Sequence, residues 1–103
     1  MQTKVQNKQS LFSLLKANSH KLRSFGVSKL SVFGSFITGR LHADSDVDLL
    51  VEFEPEQKTY DNFMDLSFFL EDLLGRKVEV VTPQSLSKYI GPHILNQAEY
   101  VPL

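Results

Sequence analysis

Apolar residues along this chain recur with two different periods, and the switches between them lay out the elements. From about Ser10 to Ser24, Leu11, Leu14, Leu15 and Leu22 fall near one helical face, with Lys16, Asn18, Lys21 and Arg23 on the polar side. Ser10 is the expected N-cap and Gly26 the expected stop. Lys29-Leu-Ser-Val-Phe33 then alternates with the period of a half-buried strand. Gly34 and Gly39 bracket a short connection, and the run from Asp46 to Phe53 is strongly β-prone. A polar loop broken by Pro55 follows. Helical spacing returns from about Thr59 to Leu74 through Phe63, Leu66, Leu70 and Leu73, and Gly75 ends it. Lys77 to Thr82 predicts another short strand, and beyond Pro83 the chain predicts short helical turns, one beginning near Pro92. Strands and helices in this order predict an α/β fold, a small mixed β-sheet with flanking helices.

Composition narrows the class. At 103 residues and 42% hydrophobic, residues 1–103 are expected to form a single domain with a real core. Eleven basic residues against twelve acidic ones give a formal charge of -1, so bulk electrostatics ask for no nucleic acid, and none is expected to bind directly. The absence of cysteine excludes disulfides, thiolate zinc sites and cysteine nucleophiles. No apolar run approaches the roughly 20 residues of a membrane span. The first ten residues hold no apolar signal-peptide core, so the expected location is cytoplasmic and away from membranes. Of the aromatic group Tyr60, Phe63, Phe68 and Phe69, too large for one core-facing stripe, most is expected in core packing and some on a partner surface.

The chemistry concentrates between Gly34 and Val51. On a strand, residues two apart share a face, so Asp46 and Asp48 would point one way and Val47, Leu49 and Val51 the other. Two carboxylates held this close repel, and a divalent cation relieves the repulsion. Mg²⁺ suits such a pair because it takes carboxylates, waters and substrate phosphates together. A D-x-D pair alone also fits the wet face of an edge strand; the preceding glycine-serine turn and the apolar run behind it favour the metal site. Gly34 lets backbone approach a phosphate, with Ser35 adding a hydroxyl donor, although the same dipeptide makes an ordinary strand-to-helix turn. Glu79, between Val78 and Val80, is a candidate third carboxylate or general base if its strand pairs beside the aspartates. Arg40 is a candidate for triphosphate charge, whereas His42 and Asp44 read as loop residues. A calcium loop is excluded because Leu49 stands where its glycine belongs, and a phosphate-binding loop of the lysine type because Arg40-Leu41 replaces Lys-Ser/Thr.

These residues resemble a known family. Gly34-Ser35, Gly39 and Ser45-Asp46-Val47-Asp48-Leu49 follow the pattern of the minimal nucleotidyltransferases, the MntA-like antitoxins of the DNA polymerase β-like nucleotidyltransferase superfamily. The likeness continues through Gly75 to Pro83 and into the C-terminal tail. It implies transfer of AMP from ATP with Mg²⁺, as two ions about 3.5–4 Å apart that stabilise the attacking and leaving oxygens. It also implies a protein acceptor, a tyrosine of a cognate HEPN ribonuclease toxin bound in a hetero-oligomer. Carried over by position, Gly34, Ser35, Arg40 and Ser45 would face the nucleotide, while Asp46, Asp48 and Glu79 would be the catalytic and metal-binding carboxylates. Two positions depart from the pattern: Thr38 stands where arginine is usual, and Glu79 where aspartate is usual. They keep in play a weakly active antitoxin that neutralises its partner by binding. Transfer to a small molecule or RNA is the other alternative.

Overall fold

The structure, a computed structural model, describes residues 4–103. Four strands form one sheet in the order β3-β2-β1-β4. The central strands are β1, Val27–Phe33, and β2, Val47–Phe53, paired antiparallel. Outside β2 lies β3, Val78–Val81, parallel to it. Parallel neighbours need a long crossover, which helix α4, Tyr60–Leu74, supplies. Outside β1 lies β4, Glu99–Val101, again antiparallel. The sheet is therefore mixed, with flanking helices, as the sequence predicts.

Core formation follows the two periods. Val47, Leu49 and Val51 are fully buried on one side of β2, and Leu30 and Val32 on β1. They meet Leu11, Leu15, Leu22, Leu66, Leu70 and Leu74 of the helices in a single apolar cluster. The stripe of α4 is rotated slightly from the expected one, since Leu74 takes the inner place and Leu73 is only partly buried. The Thr59 hydroxyl caps α4 by accepting from the Asn62 N–H, and Gly75 ends it in the left-handed region. Phe69 packs tilted on Phe25, with ring centroids 5.5 Å apart. By contrast, Tyr60 and Phe68 are 77% and 62% exposed, so part of the aromatic group faces outward.

Four expectations need correction. The helix expected over Ser10–Ser24 is two, α1 at Lys8–Ala17 and α2 at Ser19–Ser24. Between them, the Asn18 side chain donates to the Leu14 carbonyl, a local bond of the kind that competes with helix propagation. The cap of α1 is Asn7, not Ser10, because Asn7 Oδ1 accepts from the Ser10 N–H. Asp46 precedes β2 rather than opening it, and β4 lies where no strand was expected. Past Pro83, a short 3-10 turn and helix α5, Gly91–Gln97 with Pro92 in its first turn, match the expected helical turns.

Candidate active site

Strand register assembles the site. Phe33 pairs with Asp48 across β1 and β2, and Asp48 pairs with Glu79 across β2 and β3. The turn after β1 therefore comes to lie against Asp48. At Gly34 the backbone has φ 78°, and an added Cβ would stand 2.0 Å from Asp48 Oδ2. Glycine is required there twice over, by its left-handed φ and by the carboxylate in the place of a side chain. The half-buried Ser35 opens α3, Ser35–Thr38, and Gly39 ends it.

Three carboxylates share this corner. Burial, first, and the neighbouring charges of Glu79 and Asp46 push the Asp48 carboxyl up to about 6, and a side-chain hydrogen bond with Glu79 adds to the shift. Asp46 and Glu79 are themselves exposed. The three expected acidic residues are thus brought together, two as register neighbours and one within electrostatic reach. Among the described residues, however, no three carboxylate or histidine side chains close into a cage around an ion. A half-buried carboxylate crowded by two others is a donor set for a hard cation that keeps ligands from water and phosphate, which fits Mg²⁺.

The other expected contacts divide. Ser45 is buried, and its hydroxyl accepts from the His42 N–H, so it braces the loop before Asp46 instead of opening toward a ligand. His42 and Asp44 are exposed loop residues, as read. Arg40 is exposed beyond Gly39 and forms no ion pair among the described residues. A cleft of about 230 Å³ lies beside Asp46, bordered by Lys4, Asp44, Arg76 and Lys77. A larger groove of about 590 Å³ runs along α1 and includes no carboxylate, so it lies apart from this chemistry.

Two residues escaped the sequence reading. Gln97, at the end of α5, accepts from the Gly34 N–H at 2.8 Å and holds the turn beside Asp48. Arg76 is buried against the loop that leads to Asp46. No local pattern announces the Gln97 contact, while an arginine right after a helix-ending glycine reads as an ordinary C-terminal basic residue.

Comparison with known proteins agrees with this geometry. Residues 13–101 match the nucleotidyltransferase domain family. The protein adenylyltransferase MntA of Thermococcus cleftensis is 42% identical over 90 residues, covering 86% of this chain and 90% of the relative. A solved structure carrying the provisional name of minimal nucleotidyltransferase superposes with a TM-score of 0.78 at 33% identity, over 94% of this chain and 96% of that one. The chain in a toxin-antitoxin crystal structure with AMP-PNP has the same fold, with a TM-score of 0.66 at 22% identity, covering 93% of this chain and 73% of that one. The chain belongs to the nucleotidyltransferase family, in its minimal, MntA-like branch, and is a nucleotidyltransferase.

Proposed function

We propose that this enzyme transfers AMP from ATP to a tyrosine hydroxyl of a HEPN-family ribonuclease toxin, acting as its antitoxin in the cytoplasm. The observation that carries the reading is the Asp48–Glu79 register pair set against Gly34, with Asp46 close enough to raise the Asp48 pKa. The 42% identity to a protein adenylyltransferase and the fold shared with a toxin-antitoxin structure support the choice of acceptor class.

In this reading Asp46 and Asp48 bind Mg²⁺, and Glu79 completes the acidic set. When bound, Mg²⁺ supplies Lewis-acid stabilisation of the attacking and leaving oxygens. The Gly34–Ser35 turn receives the triphosphate, and the exposed Arg40 offers it positive charge. The tyrosine oxygen attacks the α-phosphorus in line; the new P–O bond forms as the bond to the β-phosphate oxygen breaks, and pyrophosphate leaves. The tyrosine proton passes to a carboxylate; the exposure of Glu79 and its bond to Asp48 support Glu79 for that part. The protein contributes mainly position and charge balance, as phosphoryl chemistry requires.

Intact-mass spectrometry of the toxin, incubated with this protein, ATP and Mg²⁺, tests the reading. An AMP-sized gain that disappears with Asp46→Asn is the expected result. A stable complex without any mass gain would replace catalysis by silencing through binding, and a gain retained with Asp46→Asn would remove Asp46 from the site.

A further inference from the structure

Among the described residues, Arg76 is the charged side chain the fold buries, at 6% exposure. A buried guanidinium ordinarily meets a carboxylate; this one meets backbone carbonyls. Its Nε donates to the Val5 carbonyl at 2.7 Å. Its Nη1 donates to the carbonyls of Ser45 at 2.8 Å and Ala43 at 3.1 Å, with that of His42 farther off at 3.4 Å. The guanidinium carbon lies 5.3 Å from the centre of the Phe36 ring. Lys4 reaches the same loop, donating to the Ala43 carbonyl.

Taking a cation out of water is expensive, and carbonyl dipoles offset the cost only when several converge in good geometry. An apolar residue would avoid the cost of the buried charge and take the Arg76 donor away from the Val5 and Ser45 carbonyls. What it could not do is orient peptide planes. The Ser45 carbonyl belongs to the peptide whose nitrogen is that of Asp46, so the bond to Arg76 fixes the direction in which Asp46 leaves the loop. Phe36 follows Ser35 in α3, and Arg76 itself stands three residues before Glu79 in the sequence. One guanidinium thus touches the segments that carry Asp46 and Ser35, and does so from the segment that leads into Glu79.

We propose that Arg76 is a positioning residue for the metal-nucleotide site: it sets Asp46 at a fixed place relative to the Gly34–Ser35 turn. The inference rests on the assignment of Asp46 to that site. Arginine is needed because its fork serves carbonyls on two sides at once; a lysine keeps the charge and loses the geometry.

The test measures Mn²⁺ binding by electron paramagnetic resonance in the presence of AMP-PNP, on the full chain, with melting curves for every variant. Arg76→Lys is expected to weaken Mn²⁺ binding about tenfold, the scale at which groups supporting metal ligands act, with full binding stoichiometry. Phe36→Leu, which keeps apolar bulk and removes the ring face, is expected to move the affinity the same way by a smaller factor. A purely structural role would instead lower the number of sites while leaving their affinity unchanged. Wild-type affinity in both folded variants, alongside lost binding in Asp46→Asn, overturns the role of Arg76 and spares the site. Wild-type affinity in Asp46→Asn overturns the site assignment itself, and this inference with it.

Discussion

Asp48 carries opposing demands: the sheet half-buries it, two neighbouring carboxylates repel it, and the metal role proposed for it requires it ionised. Its carboxyl titrates near 6 in the folded chain against an ordinary value of 3.8. Between those two values the folded state holds a proton that the unfolded state has lost. This group therefore favours folding more as pH falls through 6, and above 6 it is a standing penalty. Without Mg²⁺, the melting temperature should gain a contribution from Asp48 between pH 7.5 and 5.5, visible as the part of the rise that Asp48→Asn removes. Asp48→Asn should also melt a few degrees higher than the parent at pH 7.5 while losing nucleotidyl transfer. A variant that melts lower at pH 7.5 would mean the carboxylate is a structural asset. Asp48 and Gly34 were legible in sequence because strand period and glycine chemistry are local facts. Ser45 was only half legible: its place in the motif was plain, but its hydroxyl turns inward to His42, a choice made by the loop.

Among the elements, legibility follows the same divide. The extent of helix α4 was readable because the apolar period and the Gly75 stop are local, although its inner stripe takes Leu74 in place of Leu73. The break at Asn18 was not, since a single side-chain bond to Leu14 decides it. Strand β4 is three residues long, too short to show a period, and exists by pairing with Leu30, Ser31 and Val32. Its addition holds α5 beside the turn after β1, where Gln97 accepts from the Gly34 N–H. Gln97→Leu leaves that N–H without its acceptor. The expected loss is about 1–3 kcal/mol of unfolding free energy by urea titration, together with slower transfer as the turn loosens. Unchanged stability would show that water replaces the glutamine at no cost.

Viewed whole, the molecule leaves large apolar side chains bare near its C-terminal side. Tyr89 is 75% exposed, and Ile90 and Leu95 are more than half exposed. They belong to α5 and the residues just before it, the same segment that reaches Gly34 through Gln97. If a protein acceptor docks as proposed, this exposed apolar surface is the candidate to receive it. Leu95→Glu, on the exposed side of α5, should weaken capture of the toxin at least tenfold in a calorimetric titration and leave the melting temperature within a few degrees. Equal affinity would move the interface elsewhere. The parallel pairing of Asp48 with Glu79 has a temporal corollary. Such a contact closes over the whole of α4, so it forms late compared with hairpins and helices. The strap from Gln97 and the β4 strand come from residues later still. While it is being synthesised, a growing chain therefore holds both aspartates well before Glu79, Gln97 and β4 can be set against them.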